Sequence, residues 1–392
     1  MISLALTSLA WLLTIAWLWK AITVALGQPC VPDLTQPIYD LNPDGNPSIT
    51  VIVPARNEEA SVAACLESLL AQDYANLRIL AVNDRSTDTT GSIMDALAAT
   101  HPDRLTVLHI RELPAGWLGK THAMAMAAER AIAQHNPNYL LFTDADILFS
   151  PTILRISLAQ AVATQADHFV TVPTPIVKSV GEGMLLGYLQ IMGLWAVRFW
   201  RVEDPKARDA VGIGAFNLLR TPAYQQLGGF ESLRMEILED LTLARRVKLA
   251  GLRQRVAFAP NQVRLHWAEG LFGVVNVMTK NLFAVFRFRI PLLLAACMGF
   301  AILGIAPALL LVPSKTRIPA LLALAGIAVL NGLSWRSSRI SPLYAVFFPV
   351  SATLFLYSML RSMVITLKDG GVTWRGTFYP LAELRKNATS LL

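Results

Sequence analysis

The sequence predicts an α/β domain built on a mostly parallel sheet, with membrane helices before and after it. Three observations predict this. Short β-branched runs alternate with helix-length stretches between residues 48 and 143. Long uncharged apolar runs flank that region. Clusters of Asp, Asn, Glu and Ser fall where the expected strands end.

The apolar runs come first. Hydrophobic residues make up 54% of the 392-residue chain and charged residues only 16%. The shortfall of charge has a location: residues 2–19 and 290–314 carry none, and further apolar runs cover 318–335 and 341–360. Each is near the ~20 residues a helix needs to cross the hydrocarbon core. No basic stretch precedes the first run, and Leu26-Gly27-Gln28-Pro29-Cys30 offers no small-x-small cleavage site, so it reads as an uncleaved anchor. The net charge of +7 fits a basic surface beside anionic lipid and equally an attraction for an anionic substrate. The basic residues are dispersed without interleaved aromatics, which excludes nucleic acid as a partner. Cys30, Cys65 and Cys297 lie far apart, without metal spacing.

Between the apolar runs, residues 30–47 hold Pro32, Pro37, Pro43 and Pro47 and read as a linker. Strands are then expected at 48–53, 77–82, 105–109 and 139–143, alternating with helices at 57–72, 86–99 and 121–135. A helix at 151–166 and a strand at 169–173 follow. The apolar stretch 181–200 reads equally as a core helix or as one lying in the membrane interface. The expected division is an anchor at 1–27, a soluble domain at 28–270, an interfacial helix at 271–290, membrane helices at 291–366 and a tail at 367–392.

Ligands of parallel sheets bind outside the strand carboxyl ends, and three polar clusters fall there. Pro54-Ala55-Arg56-Asn57-Glu58 follows the first strand and opens a helix whose free amides favour anions. Asn83-Asp84-Arg85-Ser86-Thr87-Asp88 follows the second, and Asp144-Ala145-Asp146 the fourth. Two carboxylates two residues apart can share one hard cation, or one can bind metal while the other holds a ribose. A divalent ion on a diphosphate neutralises a leaving group. Further on, Glu239-Asp240 offers a carboxylate base for an incoming hydroxyl, or two acids stabilised by a helix N-terminus.

Together, Val51-Ile52-Val53-Pro54-Ala55-Arg56-Asn57-Glu58-Glu59, Val82 to Asp88, Thr143-Asp144-Ala145-Asp146, Gly228-Gly229-Phe230 and Glu239-Asp240 resemble family 2 glycosyltransferases of the GT-A fold, in the family's order. Leu113 to His122 and the terminal Gly371-Val372-Thr373-Trp374-Arg375-Gly376 are similar to membrane-bound hopanoid-associated and carotenoid glycosyltransferases. The resemblance implies that Pro54, Ala55, Glu58 and Asp84 line a nucleotide-base pocket. Lys120 would approach the diphosphate, with Gly119 letting the backbone close in. Asp144 and Asp146 would hold Mn2+ or Mg2+ and the ribose. Asp240 would be the base with Glu239 as its understudy, and Gly214 would lie near the acceptor. Processive members carry Gln-x-x-Arg-Trp where this chain reads Val263-Arg264-Leu265-His266-Trp267. Trp267 can stack on an acceptor sugar or anchor at the interface.

These readings imply a metal-dependent, inverting, non-processive transfer from a nucleotide-diphosphate sugar to a lipid or lipid-linked acceptor. The expected location is the inner (plasma) membrane, multi-pass, with the catalytic domain facing the cytoplasm. The rivals are a processive polysaccharide synthase, a nucleotidyltransferase, and a non-catalytic membrane scaffold with a degenerate transferase domain. Three C-terminal crossings would place the tail outside, whereas Lys368, Arg375, Arg385 and Lys386 favour an inside tail.

Overall fold

A computed structural model describes residues 2–387, so the last five residues of the expected tail lie outside the described residues. The chain opens with α1 (Ile2–Gly27). It continues through β1 (Ile49–Ala55), α2 (Val62–Leu70), β2 (Leu77–Asp84), α3 (Thr90–Thr100), β3 (Leu105–Ile110), α4 (Gly119–His135) and β4 (Tyr139–Phe142). Next come β5 (Ile147–Phe149), α5 (Ile153–Ala163), β6 (His168–Val172), β7 (Thr174–Pro175) and α6 (Val180–Ala196). β8 (Asn217–Arg220), α7 (Thr221–Gln226), α8 (Glu239–Leu249), β9 (Gln254–Phe258) and β10 (Val263–Leu265) follow. The chain then forms α9 (Gly270–Val285), α10 (Ile290–Gly304), α11 (Ala306–Leu309), α12 (Arg317–Ser338) and α13 (Phe348–Asp369). A last hairpin, β11 (Gly371–Trp374) with β12 (Thr377–Pro380), leads into α14 (Leu381–Asn387).

These elements form two compact units. The helical unit takes the chain up to Val31, Pro175–Trp200 and Trp267–Val372. The α/β unit takes Pro32–Thr174, Arg201–His266 and the chain from Thr373 onward. The stretch 181–200 therefore joins the helical unit, where α6 buries Leu185, Tyr188 and Ile191.

The main sheet has the order β3-β2-β1-β4-β8-β6-β9. β1 pairs in parallel with both β2 and β4, β2 with β3, and β6 with β9. β8 alone runs antiparallel, between β4 and β6. β1 is covered on both faces, as its unbroken apolar run requires. Val51 and Val53 pack with Cys65, Leu66 and Leu69 of α2. Ile52, pointing to the other face, packs with Ala123, Met124 and Ala127 of α4. Strand order reverses at β1 and β4, which opens a crevice at their carboxyl ends.

One local expectation fails. The helix after β1 begins at Val62 rather than at residue 57. Asn57 has a positive φ of 55°, and the amides of residues 57–59 are engaged by the loop after β2, so they cannot act as a helix start.

In the helical unit, Ser3–Cys30, Val180–Arg201, Ser314–Ser338 and Pro342–Asp369 are each long and apolar enough to cross a membrane. α10, expected as a full crossing, is a helix of 15 residues. Trp17 of α1 is fully buried and meets Trp195 and Phe348 edge-on at 5.3 and 5.6 Å. Leu4, Leu12, Ile15, Trp19 and Leu26 of the same helix remain exposed, as lipid-facing side chains would be.

Candidate active site

The loops after β1 and β2 are bonded to each other. The Asn57 amide donates to Ser86 Oγ, the Glu58 amide to Thr90 Oγ1 and the Glu59 amide to Asp88. In return the Thr87 amide donates to Asn57 Oδ1 and Thr89 donates to Glu59. Asn, Ser and Thr thus cross-link two strand ends here rather than capping helices. Pro54 and Ala55 close β1 opposite Val82 and Asn83 of β2. Asp84 is 4% exposed and accepts from Arg85 through both of its oxygens, at 2.7 and 2.9 Å. Burial of that carboxylate requires such a partner. Gly119, the first residue of α4, faces this pair: a Cβ there would stand 2.5 Å from Asp84 Oδ2.

The second group of side chains comes from four separate segments. Lys120 Nζ lies 2.6 Å from Asp144 Oδ1 and 2.6 Å from Glu239 Oε1. The Gly214 amide donates to Asp240 Oδ2 at 2.9 Å. Thr143 Oγ1 donates to the Ala215 carbonyl, tying the end of β4 to the segment that carries Gly214. That segment is also held from beneath: Asn217 donates to the Ile213 carbonyl, and Gln254 bonds both backbone groups of Val211. The result is a small cleft lined by Lys120, Asp144, Gly214, Glu239 and Asp240.

Electrostatics in the cleft are uneven. Burial alone would lower the Lys120 pKa, but Asp144, Glu239 and Asp240 hold it above the usual ammonium range. Burial, reinforced by Glu239, raises the Asp240 pKa well above the usual carboxylate range, against the pull of Lys120. Asp146 is raised in the same direction, by burial and by the nearby Asp144 and Glu58 charges. A carboxylate with a raised pKa has a stronger affinity for a proton or a cation, which suits a base or a metal ligand.

Among the described residues no group of three or more His, Cys, Asp and Glu side chains could by itself hold a metal ion. Asp144 and Asp146 nevertheless fit Mn2+ or Mg2+. They offer hard oxygens, their mutual repulsion would be relieved by a cation, and such ions take one or two protein carboxylates when a diphosphate supplies further oxygens.

Ten of the eleven candidate residues lie in the α/β unit, on the loops and helix starts around the carboxyl ends of β1, β2 and β4. Trp267 does not: it belongs to the helical unit, between β10 and α9. Sequence reasoning assigned no site role to Arg85, Arg375 or Tyr379, and weighed Arg375 only for the side on which the tail lies. Arg85 stands in a quoted motif, and its adjacency to a buried acid was the available signal. Arg375 stands in the terminal Gly371–Gly376 motif, and Tyr379 follows it; no local feature there points back to the first loops.

Comparison with known proteins agrees with the fold of the α/β unit. The model of the family described as "Glycosyltransferase like family 2" matches residues 47–289. The 4,4'-diaponeurosporenoate glycosyltransferase of Staphylococcus aureus (strain USA300) is 24% identical over 346 residues, covering 86% of this chain and 89% of the relative. Among solved structures, the mannosyltransferase PcManGT from Pyrobaculum calidifontis, in complex with GDP-Man and Mn2+, superposes with a TM-score of 0.54 at 20% identity. That match covers 93% of this chain and 99% of the other.

Proposed function

Because the chain belongs to glycosyltransferase-like family 2, a GT-A-fold enzyme, we propose that it moves one sugar, with inversion, from a nucleoside-diphosphate sugar to a lipid or lipid-linked acceptor. The observation that carries the reading is the convergence of Lys120, Asp144, Glu239 and Asp240 on one cleft beside the ends of β1 and β4.

Asp240 takes the proton of the acceptor hydroxyl as the oxygen bonds to the anomeric carbon. The raised pKa of Asp240 suits it to that task, and the Gly214 amide fixes its carboxylate. The sugar–phosphate bond breaks and the nucleoside diphosphate departs, with Lys120 placed to meet its charge. Mn2+ or Mg2+ held by Asp144 and Asp146 supplies further charge neutralisation when bound. Pro54, Ala55, Glu58 and Asp84 form the nucleoside end of the pocket.

A lipid acceptor is supported by the helices long enough to span a membrane and by the staphylococcal relative named for 4,4'-diaponeurosporenoate. Val263 and His266, in place of the Gln and Arg of processive enzymes, favour a single transfer. The chain from Thr373 onward belongs to the unit that carries the cleft, so an even number of crossings separates the two. α12 and α13 supply two. With a cytosolic donor, the cleft faces the cytoplasm and the protein is a multi-pass resident of the inner membrane.

The test is release of nucleoside diphosphate by full-length protein in detergent with added membrane lipids, across a panel of nucleotide-sugars with Mn2+ or Mg2+. Metal-dependent release from one donor, lost in Asp240→Asn and Asp146→Ala, is expected. Pyrophosphate release would point to a nucleotidyltransferase and polymeric product to a synthase. Absence of any turnover would favour the scaffold.

A further inference from the structure

The hairpin of β11 and β12 follows the last long apolar helix, yet its side chains reach the loop after β1 and the start of α4. Arg375 lies in the hairpin turn with a positive φ of 50°. Its guanidinium donates to Glu58 Oε1 and, at 3.0 Å, to the Arg56 carbonyl. Arg56 Nη1 returns a hydrogen bond to Thr377 Oγ1 at 2.9 Å. The Gly119 amide donates to Tyr379 Oη at 3.2 Å, and Tyr379 is 5% exposed.

A turn that served only to join β11 to β12 would have no need for these partners. Glu58 and the Gly119 amide stand on the nucleoside and diphosphate sides of the pocket proposed above. Charge points the same way. Arg85 and Arg375 both stand close enough to Arg56 to repel it, and the pKa of Arg56 is lowered by burial and by Arg85. Glu58 and Asp84 answer two of the three positive charges. The third, Arg56, keeps a buried Nε without a partner. An anion at this place would complete the set.

Resting on the donor reading above, we propose that the C-terminal hairpin is a wall of the donor site. Arg375 is a positioning residue that sets the Glu58 carboxylate and the 56–58 backbone for a nucleoside diphosphate, and Tyr379 braces the start of α4.

The test compares wild type, Arg375→Ala, Arg375→Lys and Tyr379→Phe as full-length protein in detergent. It measures UDP and GDP binding with Mn2+ by calorimetry, donor KM, kcat and thermal midpoint. The expected result for Arg375→Ala is a roughly tenfold weaker nucleoside-diphosphate affinity and higher donor KM, with kcat within about twofold. Arg375→Lys should recover part of the affinity, because it restores the charge but not the forked geometry. Tyr379→Phe should show a smaller shift in the same direction. Unchanged affinity and KM in Arg375→Ala beside a lowered thermal midpoint would overturn the proposal, leaving the hairpin a purely structural clamp. A change in acceptor KM alone would overturn it as well. Wild-type protein that bound neither UDP nor GDP would instead remove the donor reading, and this proposal with it.

Discussion

The Gly214 amide donates to the Asp240 carboxylate at 2.9 Å, while a Cβ on Gly214 would stand 2.7 Å from Asp144 Oδ2 and 3.3 Å from Lys120 Nζ. One backbone position therefore holds the proposed base and makes room for the neighbouring ion pair. Gly214→Ala should displace the Asp144 side chain and lower kcat by about 100-fold, the scale of an ångström-level misplacement. The thermal midpoint should move by only a few degrees. Initial rates and a melting curve on the same preparation check this, and an unchanged kcat would show that the loop yields without consequence.

Among the described residues, Lys120 is the ion-pair partner of the buried Glu239 carboxylate. Removing it in Lys120→Met leaves that charge unanswered, at a cost of about 2–3 kcal/mol, since the lysine itself is partly exposed. Activity should fall at least about 100-fold. Adding Glu239→Gln should restore the thermal midpoint but not turnover. Restored turnover would mean that the ammonium has no role with the substrate.

Gly119→Ala places a methyl group 2.5 Å from Asp84 Oδ2 and 2.6 Å from Arg85 Nη2. The bidentate pair must shift, and the nucleoside end of the pocket shifts with it. Donor KM should rise roughly tenfold with little change in kcat, the mark of lost uniform binding. Rates against donor concentration at saturating acceptor provide the check.

His168 supplies a pH prediction. It is fully buried, bonded to Asn217 Oδ1 at 3.1 Å and to Gln254 Nε2 at 2.7 Å, and burial pushes its pKa down to about 4. The neutral ring donates from Nε2 and accepts at Nδ1. A proton on Nδ1 would oppose the Gln254 amide, whose reversal would break both of its bonds to Val211. The folded pKa lies below the unfolded one, so the contribution is whole above about pH 6.5. It is lost as pH falls toward 4, by up to about 3 kcal/mol. The thermal midpoint in detergent should drop across that window, and less so in His168→Gln. Equal slopes for both proteins would exclude His168 as the cause.

Much of the α/β unit could be read from the sequence, because a buried parallel sheet writes itself as apolar runs spaced by amphipathic helices. The 3-2-1-4 portion of the sheet and the polar clusters beyond β1, β2 and β4 follow that pattern. Two features did not. The Asn57–Glu59 cluster looks like a helix start, since Asn and Glu serve equally in helix caps and in loop–loop bonds. The 181–200 stretch left core and interface open, because apolar content records burial without naming what covers it.

By itself the sequence determined the alternation of elements, the apolar helices and the residue types available for chemistry, all of which depend on neighbours within a few turns of chain. Only the tertiary structure decided which of those residues meet. Lys120 pairs with Asp144 and Glu239 together because α4 and α8 begin where β4 ends. Arg375 reaches Glu58 across a sequence separation of 317 residues, a contact that no local periodicity encodes.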